Sequence, residues 1–558
     1  MYQKSDLEYF NRRMSSMKLE RSSFEAHWRE LSEKVQPRKG RFIAQDRNKG
    51  DKRYSKIINS RGTRALRIAR AGLHAGIMSP TRPWFELGSP DPDMKEFAPA
   101  KVWLAKTAEI LNAIFRDSNL YSMAPTMLGE NLLFGTGCMI HVDDFENVAR
   151  FYTQTVGSYM LAQDDRLAVD TIGREYEMTV RAMAKKFGEE NLSVGARNIL
   201  GTNKDAWRPV CHLIEPNPDY KPSSPLAKHF RWRSIYYEPG NTEGDATKRL
   251  STGGYREFPG YCPRWEVTGE DIYGTDCPGM TALGDINQLQ IEERRKAQAI
   301  DKHVNPPLKG PPEVKNNAVS ALPGGLTVYS GDDRVNGLRP LYEVKPDLAG
   351  LLGDIQAVEG RIDDCFFVHL FKPISDMEGI QPRNMYDLTQ RNQEALVELG
   401  PTLERFHGEF LSPLIDRAFT QALRAGILPE PPQELQGSPL KITYISALAI
   451  AMRATAASGI DRLSGYVGGL VQGGLNDGMK FDSDQAIDEM GAILGVPPRL
   501  ILSDEVVQQR RAEIEQRKQL ERMAMMAESA SKTTKALADS KTGDPSALTA
   551  LAGAAARR

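Results

Sequence analysis

Cysteine is scarce in this chain. Five residues, Cys138, Cys211, Cys262, Cys277 and Cys365, stand scattered, odd in number and without a CxxC pair. That pattern argues against both a disulfide framework and a zinc site, and points to a reducing compartment. No run approaches the ~20 apolar residues that a membrane helix needs. The opening MYQKSDLEYFNRRMSS has no apolar core of the signal-peptide kind. An excess of either charge is missing as well: 72 Lys+Arg face 73 Asp+Glu. A protein that coats nucleic acid is normally strongly basic, although balance leaves room for a local basic surface. These absences read together as a soluble, cytoplasmic protein whose 558 residues, 40% of them apolar, exceed a single core.

The motifs of catalysis are missing too. There is no GxxxxGK[ST] loop to cradle a nucleotide, no HExxH or His/Cys metal spacing among eight dispersed histidines, and no GxSxG elbow. The glycine runs LFGTGCM and SGYVGG lack dinucleotide spacing and the strand–helix context it requires. The acidic pairs Asp91/Asp93, Asp143/Asp144 and Asp363/Asp364 have the residue types that hold magnesium in nucleases, but solvated turns and helix faces are much commoner settings for them. Cys365, in DDCFFVHLF, reads as a packing residue. No metal, cofactor or enzymatic role is expected.

What is present is helix, interrupted by one sheet region: an α+β chain that is mainly helical. Over residues 5–36, Leu7, Phe10, Met14, Met17, Phe24, Trp28, Leu31 and Val35 recur by threes and fours, with Arg21 in the one missing slot. The spacing predicts a long amphipathic helix ended by Pro37 and packed on the subunit's own core, with a coiled coil as the alternative. A small-residue helix is predicted over 63–78, then a turn or edge strand at SPTRPWFEL, then helices over 100–116 and 121–134 that stop at Gly135-Thr136-Gly137. From Cys138 to about Val267 short strand-like runs (CMIHV, RFYTQTV, SYMLAQ, RPVCHLI, FRWRSIYYE) predict a mainly antiparallel sheet, with MTVRAMAKKFG as its one helix. Further helices are expected over 385–424, kinked at Gly400-Pro401, over 442–472, within DSDQAIDEMGAIL, and over 503–529. The tail beyond reads as disordered or marginally helical.

The stretch AIDKHVNPPLKGPPEV, Ala299–Val314, needs an explanation. A charged helix begins at Pro278 and runs without proline to Val304, roughly 36 Å for about 24 residues at ~1.5 Å each. It is then stopped by Pro306 and Pro307, with Pro311 and Pro312 following, which fixes a stiff extended backbone. A Gly/Pro-punctuated module follows, and 347–370 turns helical again. Two helices flanking such a module suggest an antiparallel pair carrying it at the far end. That pair is too polar for the core of a monomer and makes better sense as a stave in a closed ring of heterologous contacts.

At these residues the chain resembles the head-to-tail connector, or portal, proteins of short-tailed bacteriophages. The likeness rests on YGTDCPGMTALGDINQLQ (Tyr273–Gln290) followed by AIDKHVNPPLKGP (Ala299–Pro311). It is reinforced by SPTRPWFEL, NMYDLTQRNQEALVELGPTLERFHGEFLSPLIDRAF (Asn384–Phe419) and LGVPPRLILSDEVVQQRR (Leu494–Arg511), in order over most of the chain. One departure is at Tyr386-Asp387-Leu388-Thr389, where members often carry a Thr-Ala-Thr-Glu-like segment; it reads as drift.

The resemblance implies the portal fold of wing, stem, clip and crown, assembling as a ring. Residues 1–278 would be the N-terminal wing, 279–304 the first stem helix, 305–346 the clip and 347–370 the second stem helix. Residues 371–384 would form the channel loop, 385–479 the long wing helix and those following, 480–529 the crown and 530–558 a C-terminal tail. It further implies a ring of twelve at one capsid vertex, in the virion after assembly in the host cytoplasm. The channel would pass double-stranded DNA during packaging and ejection, with terminase and then tail or adaptor proteins docking, and the major capsid and scaffolding proteins as neighbours.

Candidate channel contacts are Lys372 and Arg383 in the loop, and Lys302, Lys309, Lys315 and Arg334 near the junction of stem and clip. Glu292, Glu293, Arg294, Arg295 and Lys296 are expected to form stave-to-stave pairs. Near-zero net charge suits a conduit, since every neutralised phosphate adds affinity and drag. The rival readings are a capsid or scaffold protein without a channel, and a DNA-processing nuclease, against which the absent motifs count.

Overall fold

The computed structural model describes residues 5–43, 50–81, 83–91, 97–144, 146–239, 249–306, 308–309, 339–340, 347–371, 398–435, 440–446, 460, 462–474, 480–494, 502 and 504–538. The protein is mainly helical with antiparallel sheets. It divides into two compact units, one of residues 1–90 and 102–455 and one of residues 91–101 and 456–558.

The larger unit opens with α1 (Ser5–Val35), whose apolar stripe is buried as its spacing requires. The stripe packs on a five-stranded antiparallel sheet within the chain's own core: Leu7, Phe10, Met14 and Met17 meet Met160, Leu213, Ile235 and Tyr237. Arg21 holds its slot in that stripe as a buried cation. Its Nη1 donates to the carbonyls of Gly157 (2.6 Å) and Tyr159 (3.2 Å), while the guanidinium pairs with Glu25 at 2.8 Å. An arginine is tolerated there because it satisfies a turn that would otherwise bury two bare carbonyls.

Next come α2 (Arg61–Ile77), β1 (Phe85–Gly88), α3 (Ala98–Asp117) and α4 (Leu120–Phe134). Helix α4 ends on Gly135 in the left-handed conformation (φ 78°), a position glycine fills without a Cβ penalty. Strands β2 (Cys138–Asp144) and β3 (Val148–Gln154) form a hairpin completed by β9 (Gly260–Tyr261), giving the order β3-β2-β9. The larger sheet has the order β4-β5-β6-β7-β8, from β4 (Tyr159–Gln163), β5 (Val169–Thr179), β6 (Trp207–Pro216), β7 (Trp232–Tyr237) and β8 (Ser251–Tyr255). Helices α5 (Val180–Phe187) and α6 (Val194–Thr202) lie between β5 and β6, capped by the hydroxyls of Thr179 and Ser193. Sequence reading missed β5 and began the helix at Met178, because VDTIGREYEMT is too polar to announce a strand. Pairing to β4 and β6 on both sides makes it one.

Two glycines bring the end of α4 against the chain that leaves the sheets. Gly274 N donates to Thr136 Oγ1 at 2.8 Å, and a Cβ on Gly274 would lie 2.6 Å from the carbonyl carbon of Gly135. Backbone cannot move aside as a side chain can. Gly274→Ala should therefore cost about 2–4 kcal/mol, read as a lower denaturation midpoint, whereas Gly284→Ala, in a helix and where a Cβ meets nothing within 4 Å, should raise it slightly.

The expected 279–304 helix is α7 (Pro278–Thr281) and α8 (Leu283–Val304), separated at Ala282. Beyond it, β10 (Leu308–Lys309) pairs antiparallel with β11 (Arg339–Pro340). The expected 347–370 helix is also in two pieces, α9 (Leu348–Cys365) and α10 (Val368–Phe371). The break falls at Phe366-Phe367: Phe366 is fully buried, and Phe367 takes a positive φ of 53°, a strained conformation for an aromatic residue held by the packing around it.

Residues 398–406 are helical through Gly400 and Pro401, and their α geometry gives way to a π segment at His407–Leu411 before α11 (Ser412–Arg424). Pro413 has no N–H for the carbonyl one turn back, which favours the wider turn just ahead of it. The wider turn places Glu409 against the buried Arg264, which donates to it through its backbone N (2.9 Å) and Nη2 (2.6 Å). Strand β12 (Lys441–Tyr444) pairs with β1 and corrects the reading of 442–444 as helix: KITY suits either state, and the distant partner decides.

The smaller unit contains helical residues 462–472, α12 (Ser483–Leu494) and α13 (Asp504–Ala538). Arg511 clamps Asp484 with two bonds of 2.7 and 2.8 Å. Helix α13 runs past the expected end at 529.

Candidate channel hairpin

Helices α8 and α9 lie antiparallel. Asp285, at the start of α8, accepts from Arg361 Nε near the end of α9 at 2.8 Å, and Gln288 accepts from Nη2 of the same arginine at 3.3 Å. The hydrogen bond to Asp285 raises the arginine's pKa further. The β10–β11 pair ties the chain leaving α8 to the chain returning towards α9. The returning helix that the stop at Pro306 called for is therefore in place. The stop itself is Asn305, whose N–H reaches Asp301 O at 2.7 Å, followed by half-buried Pro306.

The base of this hairpin is anchored by the N-terminus of α2. Gln290, buried, accepts from the backbone N–H of Ile58 (2.6 Å) and Asn59 (2.9 Å) and returns a bond to the Asn59 carbonyl (2.9 Å). The Asn59 side-chain amide then donates to Glu293 on α8 (3.1 Å) and Glu359 on α9 (3.0 Å), so one residue joins both helices. Arg61 forks onto Asp363, Nε to Oδ1 at 2.8 Å and Nη2 to Oδ2. That hydrogen bond, ahead of the opposing effect of burial, raises the arginine's pKa. Apolar packing is confined to the same end: Leu283, Ile286 and Leu289 on α8, with Ile355, Val358 and Ile362 on α9, are buried. Towards the module Ile300, Val304 and Leu352 are exposed, Val304 by 76%. Sequence reasoning did not find the Gln290–Asn59 joint, because nothing in the spacing of residues 230 apart signals it.

Of the residues expected to pair along the staves, Glu293 and Lys296 pair with each other at 2.6 Å. Glu292 is nearly buried; its Oε1 accepts from Gln288 at 2.6 Å and its Oε2 has no partner among the described residues. Arg294 and Arg295 are exposed and form no ion pair among the described residues. Lys302 lies exposed in the last turn of α8, and Lys309 lies exposed in β10. Lys315, Arg334, Lys372, Arg383, Pro307, Pro311 and Pro312 fall outside the described residues. Residue 371, the last before the expected loop, packs on α2, where a Cβ on Gly72 would overlap the Phe371 side chain.

Asp93 falls outside the described residues, so Asp91/Asp93 stays unread; the other two acidic pairs are in ordinary settings. Asp143 pairs with buried Arg417 at 2.9 Å, Asp144 with Arg150 at 3.7 Å and Asp363 with Arg61, while Asp364 lies 3.3 Å from His369. Among the described residues no three His, Cys, Asp or Glu side chains group as metal ligands. Burial raises the Cys365 thiol pKa, the opposite of what activates a nucleophile. No described helix is long and apolar enough to cross a membrane.

The family described as "Bacteriophage head to tail connecting protein" matches residues 8–502. The chain is 41% identical over 557 residues to the portal protein of Salmonella phage epsilon15, covering 99% of both chains. It is 39% identical over 542 residues to the probable portal protein of Bordetella phage BPP-1, covering 96% of both.

Proposed function

This chain belongs to the bacteriophage head to tail connecting proteins and its function is that of a portal; we propose that it performs it as a ring of identical subunits, with the α8–α9 hairpin as the stem. Proteins of this family form part of the virion at the head–tail junction. Beyond that, the reading is of twelve copies at one capsid vertex, assembled in the host cytoplasm and neighboured by capsid and scaffolding proteins. Residues 1–278 and 385–479 form the wing, 305–346 the clip, 371–384 the channel loop and 480–529 the crown. Terminase and then tail or adaptor proteins dock on the clip, and the protein carries no catalytic step of its own.

The observation that supports this best is an antiparallel hairpin that, among the described residues, is anchored at its base. Its distal half leaves Ile300, Val304 and Leu352 exposed, and Arg294 and Arg295 without an ion pair among the described residues. Exposed apolar side chains beside such cations suit contact with the next subunit. Negative-stain images of the purified protein test it: particles with a central hole are expected, and monomers or closed shells would refute the ring. In the ring, the Lys372→Ala, Arg383→Ala double variant should assemble normally yet package or retain several-fold less DNA, since two positive charges per subunit leave the channel. Normal genome filling by that variant would remove the loop from the DNA path.

A further inference from the structure

A cavity of about 210 Å³ lies in the larger unit, away from the hairpin, between the segment following α1, the β3–β4 turn and β5. Its lining includes three cations, Lys39, Arg41 and Arg174, together with Tyr176. We propose that this cavity is a binding site for a phosphate-type oxyanion.

The charges are unequally matched. Lys39 Nζ lies 3.2 Å from Glu130 Oε1. That buried carboxylate is also held by the Thr155 hydroxyl (2.9 Å) and the Val156 N–H (3.2 Å), so Lys39 is compensated. Arg174 is not. Its Nε donates to His212 Nδ1 at 3.0 Å, and its Nη2 reaches only the Tyr236 hydroxyl, at 3.5 Å. Burial, with the Arg174 charge adding to it, keeps His212 neutral. Burial and then the same arginine push Lys186 down to about 8, as excess positive charge would. The Arg41 guanidinium has no hydrogen bond or ion pair among the described residues; only its backbone is fixed, N to Val156 O at 2.8 Å.

The Tyr176 hydroxyl is buried without a partner among the described residues, whereas the hydroxyls of Thr153, Thr155 and Ser158 already donate to the protein. Half-buried charge without a counter-charge is unfavourable, and guanidinium forks match the oxygens of phosphate. The fold holds Arg41 in place by a dedicated contact. Gly157 adopts φ 81°, and a Cβ there would sit 2.7 Å from the Arg41 carbonyl carbon. At ~30 Å³ per water the cavity holds about seven waters, room for a phosphate group of a small molecule or for one reached from a nucleic-acid backbone.

Isothermal titration of the full chain with inorganic phosphate, against chloride at matched ionic strength, tests the assignment. Arg41→Ala should weaken phosphate binding about tenfold while leaving stability in chloride unchanged, since the guanidinium holds no hydrogen bond or ion pair among the described residues. Arg41→Lys should weaken it less. A short DNA duplex, titrated in parallel, separates the sources. If Arg41→Ala weakens phosphate alone, the ligand is a free small anion; if it weakens both, it is the DNA backbone. Equal phosphate affinity for wild type and Arg41→Ala, or no wild-type binding at about 10 mM phosphate, would overturn the site.

Discussion

Arg61→Ala is expected to destabilise the protein by about 3–5 kcal/mol, the largest effect of any single surface-proximal substitution in the hairpin anchor. The reason is the group that the change leaves behind. The Asp363 side chain is 4% exposed, so without the guanidinium a carboxylate stays buried and unpaired between α2 and α9. Arg61 also lies 3.7 Å from Glu359, which shares Asn59 with Glu293. Loss of the fork therefore loosens the joint that holds both hairpin helices. The pair as a whole contributes much less than its rupture costs, because two ions had to be desolvated to form it. The double variant Arg61→Met, Asp363→Leu should recover most of the loss. Chemical denaturation of the four proteins of that cycle reads the coupling directly. Additive losses in the double variant would show that the fork does not join the helices. If the hairpin is the stem of a ring, Arg61→Ala should also reduce the fraction of holed particles, whereas the double variant should restore it.

The second large effect is a loss of stability in mild acid. His212 and His141 are both deeply buried and held neutral. Desolvation is the main cause for each. Arg174 and Lys186 add to it at His212, and Arg417 adds to it at His141, against a smaller opposing bond from Gln421. His212 has no room for another proton: Nδ1 accepts from Arg174, so Nε2 carries the hydrogen and donates to Ser234 Oγ at 2.9 Å. The folded pKa values lie below the unfolded value of 6.5. Below pH 6.5 the unfolded chain therefore takes up protons that the folded chain refuses. Stability is fully present above that value and falls as pH drops, by up to about 1.4 kcal/mol per pH unit for each histidine. As pH falls below 6.5 the two losses add. Denaturation midpoints at a series of pH values check it, and His212→Gln, which keeps an acceptor and a donor, should halve the slope. A flat profile over that range would mean that both imidazoles gain a proton without unfolding.

Much of the local structure was legible in the residues. The stripe of α1 was readable down to Arg21, because a period of three and four on one helix face needs no knowledge of the partner surface. Gly135 as a helix stop and the proline stop after Val304 were readable for the same reason: left-handed backbone and a missing N–H are properties of single residues. The motifs that pointed to a portal lie, up to residue 502, within the stretch that the family matches.

The features that stayed hidden depended on partners far away in sequence. Strand β5 and strand β12 are strands because neighbours pair with them, and their own residues allow other states. The breaks at Ala282 and at Phe366-Phe367 come from packing that no proline or glycine marks. The Asn59–Gln290 joint, the Arg61–Asp363 fork and the Arg41 cavity each unite segments separated by more than a hundred residues, and each depends on geometry finer than any spacing rule. The sequence by itself determined where helices start and stop, which faces they bury and which family the chain resembles, since these rest on period, backbone conformation and motif. Only the tertiary structure decided which charges are paired and which are left over, because burial sets the strength of a charge and neighbours in space, not along the chain, set its partner.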